Sequence, residues 1–97
     1  MRLSAAMKNT VLHAVRESFG DVSVFLFGSR VDDSRRGGDI DIAIKSDLVK
    51  DEFMKKSLKF QTLLFRVDFE IPVDVVQLTG TTSDLLEREV SHGIELR

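Results

Sequence analysis

The chain has no cysteine, no tryptophan, no tyrosine and a single proline. Without cysteine there is no disulfide, no thiolate zinc site and no thiol nucleophile, and a reducing compartment is compatible. Without tyrosine or tryptophan, no such ring is available to stack bases between basic side chains. The formal net charge of −2 gives no general basic field, so direct nucleic-acid binding is not expected. No apolar run approaches the roughly 18 residues of a membrane span, and no membrane role is expected. Met1 to Thr10 carry no signal-peptide apolar core, which points to a cytoplasmic protein. Neither GxxxxGK[ST] nor GxGxxG occurs, so a P-loop is excluded and Rossmann and kinase-type loops gain no support. There is no internal repeat and no low-complexity segment.

What is present suits one small soluble domain over residues 1–97, with 42% hydrophobic and 31% charged residues. Leu3, Met7, Val11, Ala14 and Val15 recur at helical spacing and predict a helix over 3–18, ended by Gly20-Asp21. Val22 to Phe27 reads as a buried strand broken by Gly28-Ser29, and residues 30–38 as a loop. Ile40, Ile42 and Ile44 alternate with Asp39, Asp41 and Ala43, the period of a second strand. Asp47 is the expected start of a long helix over 49–69. Phe53, Phe60, Leu64 and Val67 line its apolar stripe, and Met54, Leu58 and Phe65 widen that stripe toward the core. Pro72 limits the start of a third strand, Val73 to Leu78. Thr82-Ser83-Asp84 caps a last helix with Glu87 in a capping box, Gly93 closes it, and Ile94 to Leu96 forms a short edge strand. The order α-β-β-α-β-α predicts an α/β (α+β) domain with one small mixed sheet and helices against it.

The informative feature is acid inside apolar strands. Asp39 and Asp41 share one face of a strand, and two carboxylates about 6 Å apart repel by roughly 2–3 kcal/mol at an effective dielectric of 20. Asp74, in the third strand, is a third charge for the same cluster. A cation belongs there. Arg30, Arg35 and Arg36 are near in sequence, and Mg²⁺ suits better because it takes oxygen ligands and shares itself between carboxylates and phosphates. A strand ending in Gly28-Ser29 presents backbone N–H groups and a hydroxyl, a cradle for phosphate. Cradle and carboxylates together are a minimal kit for metal-assisted phosphoryl or nucleotidyl transfer.

Apolar-Gly28-Ser29, nine residues, then Asp39-x-Asp41 framed by isoleucines, then Asp74 in an apolar strand, resembles the nucleotidyltransferase superfamily of DNA polymerase β. The size is similar to that of its minimal members, which pair as antitoxins with helical HEPN-type proteins. The resemblance runs from Val22 through Leu96, and the ending EREVSHGIEL looks like the family's last helix, glycine and short strand. It implies nucleoside triphosphate binding at Gly28, Ser29 and Arg30. It implies two Mg²⁺ ions on Asp39, Asp41 and Asp74, the same three residues being catalytic. It implies AMP transfer from ATP to a hydroxyl of the partner. Acceptor-binding domains of larger relatives have no room here, so the acceptor surface comes from another chain or a second copy. The loop departs from the family pattern: Val31-Asp32-Asp33 stands where many relatives have Ala-Arg-Gly, and Gly38 precedes the first aspartate where many have serine.

Plainer readings compete residue by residue. Asp39 and Asp41 suit a solvated strand end, Asp74 an exposed acid on an edge strand marked by Pro72, and Gly28-Ser29 a simple turn. Arg30 suits a phosphate or a pairing with Asp32 equally. Arg35 and Arg36 suit a solvated loop. His13 reads as surface, and His92 as a favourable charge at a helix C-terminus. Lys55, Lys56 and Lys59 read as a solvated helix face, and Phe25, Phe27, Phe53, Phe60 and Phe65 as core. At the level of function, the alternatives are a non-catalytic antitoxin or nucleotide-binding module that works by binding its partner, and a structural Mg²⁺-binding domain.

Overall fold

The computed structural model describes residues 4–27, 40–79 and 93–97. Two helices and four strands follow in chain order: α1 (Ala5–Phe19), β1 (Ser23–Phe27), β2 (Ile40–Lys45), α2 (Lys50–Arg66), β3 (Val73–Leu78) and β4 (Ile94–Leu96). The strands form one mixed sheet in the order β3-β2-β1-β4. β1 is antiparallel to both β2 and β4, whereas β2 and β3 run parallel. A parallel pair requires a crossover, and α2 is that crossover. The expected small mixed sheet with helices against it is observed. The expected last helix lies outside the described residues.

Alternation decides which side of the sheet each residue serves. Val24, Leu26, Ile40, Ile42, Ile44, Val73 and Leu96 form one buried cluster with Val11, Leu12, Val15 and Phe19 of α1 and with Phe60 and Leu64 of α2. The intervening residues face the other way, where Phe27 and Ala43 pack with Phe25, Val76 and Leu78. The two helices meet partly through Phe19 and Phe53, whose ring centroids are 5.4 Å apart.

Helix boundaries follow local hydrogen bonding. Ser4 caps α1, its hydroxyl accepting from the Met7 N–H at 3.1 Å, and Gly20 closes the helix with φ of 86°. Asp47 does not start α2: Val49 is the N-cap, with no side-chain cap bond. Gln77 of β3 is the reason. Its Oε1 accepts from the Ser46 hydroxyl and the Leu48 N–H, and its Nε2 donates to the Leu48 carbonyl, so residues 46–48 stay tied to the sheet. At the other end α2 stops at Arg66, short of the expected 69. Asp68 takes a left-handed φ of 55°, the Phe69 N–H bonds the Leu64 carbonyl and the Asp68 N–H bonds the Phe65 carbonyl. That pair of bonds is a Schellman ending.

The α2 stripe is narrower than its sequence suggests. Phe60 and Leu64 are buried, but Met54, Leu58, Phe65 and Val67 are 59–82% exposed, so Phe65 is not core. Position explains it: Phe60 opposes the arc that carries Met54, Leu58 and Phe65, and among the described residues a single sheet face and one neighbouring helix cover one side of α2.

Candidate functional site

Asp41 is the second residue of β2 and Asp74 the second residue of β3, and in the parallel ladder they are direct register partners. Partners on adjacent strands point to the same side of a sheet, and the strands are about 4.8 Å apart. Both acids therefore stand on the face opposite the helices, because their neighbours Ile40, Ile42 and Val73 are in the helix-covered core. Phe27 of β1 is the register partner of Asp41 on its other side. A row Phe27–Asp41–Asp74 thus crosses three strands at one end of the sheet. Asp41 is half-buried and Asp74 exposed.

Several hydrogen bonds hold this register. The Ile40 N–H donates to the Pro72 carbonyl at 2.9 Å, fixing the start of β2 against the start of β3. Gln61 of α2 donates through Nε2 to the Val73 carbonyl at 2.7 Å, next to Asp74. At the far end, the Ser46 N–H donates to the Leu78 carbonyl and Gln77 clamps residues 46–48. A slip of one residue would turn Asp74 toward the helices and Val73 and Val75 outward, so these bonds keep two carboxylates on one side. Sequence reasoning missed Gln61 and Gln77 as positioning residues. The signal available for Gln77 was a lone amide among the apolar residues that follow Asp74 in β3.

Gly28, Ser29, Arg30 and Asp39 lie outside the described residues, as do Asp32, Asp33, Arg35, Arg36 and His92. Chain connectivity still bears on them: the chain leaves β1 at Phe27 and re-enters β2 at Ile40, both at the end of the sheet that carries Asp41 and Asp74. Asp74 does occupy an edge strand and is exposed, as its plainer reading requires. What that reading does not account for is a second carboxylate opposite it in register. Among the described residues no group of three potential metal-ligating side chains occurs. Asp41 and Asp74 form a pair, all oxygen donors, which fits a hard cation such as Mg²⁺ and not a thiophilic metal. His13 is on the surface of α1, 3.9 Å from Glu17, and is remote from this chemistry. No helix among the described residues is long and apolar enough to cross a membrane.

Residues 13–97 match the polymerase β nucleotidyltransferase family. No curated protein matches the chain. Solved structures share its fold, two toxin–antitoxin structures among them. One is the crystal structure of a toxin–antitoxin with AMP-PNP, 26% identical, covering 93% of this chain and 72% of that one with a TM-score of 0.70. The other is the toxin–antitoxin MntA-HpeT in a double aspartate-to-glutamate mutant, 24% identical, covering 93% and 71% with a TM-score of 0.67. The chain belongs to the polymerase β-type nucleotidyltransferase family.

Proposed function

We propose that the protein is the antitoxin of a toxin–antitoxin pair and acts as a protein adenylyltransferase, moving AMP from ATP to a hydroxyl of a HEPN-type partner. The observation that carries this reading is the in-register pairing of Asp41 with Asp74 at the sheet end where residues 28–39 leave and return. Support for the partner comes from the two similar structures, both toxin–antitoxin complexes, and support for the nucleotide from the one solved with AMP-PNP.

In this reading Gly28, Ser29 and Arg30 hold the triphosphate through backbone N–H groups, a hydroxyl and a guanidinium. Asp39, Asp41 and Asp74 would hold Mg²⁺, which when bound neutralises phosphate charge and makes the acceptor hydroxyl more acidic. Asp74, the more exposed of the two described acids, receives the acceptor proton. The acceptor oxygen forms a bond to the α-phosphorus, the bond from that phosphorus to the bridging oxygen breaks, and pyrophosphate leaves with the electron pair. Gln61 and the Pro72 carbonyl keep Asp41 and Asp74 side by side during this step.

The test mixes the purified protein with Mg²⁺, ATP and the product of the adjacent reading frame, and weighs that product by intact mass spectrometry. AMP units gained with wild type and lost with Asp41→Asn support transfer. A complex formed equally by both proteins, with no mass gained, replaces this reading with an antitoxin that acts by occlusion.

A further inference from the structure

The outer face of α2 carries an apolar stripe that nothing among the described residues covers. Met54, Leu58 and Phe65 are 59%, 69% and 82% exposed. At 3.6 residues per turn they fall within roughly 40° of arc and span roughly 16 Å, three helical turns. Three large apolar side chains on one arc of a helix are more than scattered surface hydrophobics. Along one edge of the stripe run Lys55, Lys59 and Arg66, which with Leu58, Thr62 and Leu63 line a shallow depression of about 360 Å³. Among the described residues none of these three cations has an ion pair. Asp51 and Glu52 flank this face from the first turn of the helix, where the helix dipole already favours them. The Thr62 hydroxyl is spent on the Leu58 carbonyl of its own helix. Along the other edge Phe65 borders a groove of about 470 Å³ walled by Phe69, Glu70, Ile71 and Pro72.

We propose that this face docks an amphipathic helix of a partner protein, with apolar residues on the Met54–Leu58–Phe65 stripe and carboxylates along the Lys55–Lys59–Arg66 edge. Charge selects the occupant. A second copy would pair α2 with α2 antiparallel about a two-fold axis, which, centred on the stripe, sets Lys59 of one copy close to Lys59 of the other. Like charges at that spacing oppose association, whereas an acidic edge complements it. The site lies on the helical side of the sheet, away from Asp41 and Asp74, and does not rest on the transfer reaction. A partner held there is bound by a surface that leaves the carboxylate end of the sheet open.

The test is fluorescence anisotropy with a labelled 21-residue amphipathic helical peptide, leucine on one face and glutamate along one edge, against the same peptide with lysine for glutamate. The expected result is saturable binding of the acidic peptide at least about 10-fold tighter than of the lysine form. Phe65→Glu weakens it at least about 10-fold, and Lys55→Glu/Lys59→Glu reverses the preference between the peptides. All three positions are exposed, and far-UV circular dichroism checks that the variants fold. Equal binding of both peptides, no saturable binding of the acidic one, or indifference to both variants overturns the proposal. So does a dimer in sedimentation equilibrium that Phe65→Glu disperses, since the face would then be covered by a second copy.

Discussion

Asp41 and Asp74 are paired in register across the parallel β2–β3 ladder, on the face of the sheet that no described helix covers. Two carboxylates so placed repel one another when both are ionised. Asp74 is exposed, so water screens much of that repulsion. Asp74→Asn is therefore expected to raise stability without divalent metal by about 0.5–1 kcal/mol. Mg²⁺ should raise the melting temperature of wild type through binding to the native state, and have no such effect on Asp74→Asn. Thermal melts with EDTA and with Mg²⁺ measure both.

Gln77 makes three hydrogen bonds to residues 46–48 and so sets where α2 begins. Gln77→Ala leaves the Leu48 N–H and carbonyl without those partners and should cost about 1–3 kcal/mol in urea denaturation. Gln77→Glu keeps an acceptor for the Leu48 N–H but sets an oxygen against the Leu48 carbonyl, so it should not rescue.

Asp68 closes α2 in the left-handed region, where a side chain is disfavoured. Asp68→Gly is expected to stabilise the protein by about 0.5–1 kcal/mol, and Asp68→Val to destabilise it by about 1–2 kcal/mol. Chemical denaturation of the two variants gives opposite signs if the Schellman ending is correct.

Phe60 and Phe65 are five residues apart on one helix and differ completely in environment, fully buried against 82% exposed. Phe60→Ala should cost about 3–5 kcal/mol through lost burial and the cavity left behind. Phe65→Ala should change stability by less than about 0.5 kcal/mol. Equal losses would mean that Phe65 is core.

Much of this fold was legible because period-2 alternation is strong where one sheet face is buried. Ile40, Ile42 and Ile44 announced β2, and the same alternation placed Asp41 on the opposite side. The pairing of Asp41 with Asp74 was not legible as geometry, since register is set by the Pro72 carbonyl, Gln61 and Gln77 acting across distant parts of the chain. The sequence grouped these acids through the order of Gly28-Ser29, Asp39-x-Asp41 and Asp74, which is why a family resemblance reached further than periodicity. It misjudged Phe65, Leu58 and Met54 because helical spacing assigns a face but does not say how wide an arc the fold covers. It misjudged Asp47 because a cap-forming residue yields when the flanking backbone is held by a neighbouring strand.

The central claim is that Asp74 is part of a transfer site and not an exposed acid at a sheet edge. The most direct measurement is the rate of pyrophosphate release from ATP with Mg²⁺ and the partner, for wild type and Asp74→Asn, with complex formation followed in parallel. The account predicts a loss of at least about 100-fold in rate with complex formation unchanged. A rate within about 3-fold of wild type in Asp74→Asn would contradict it.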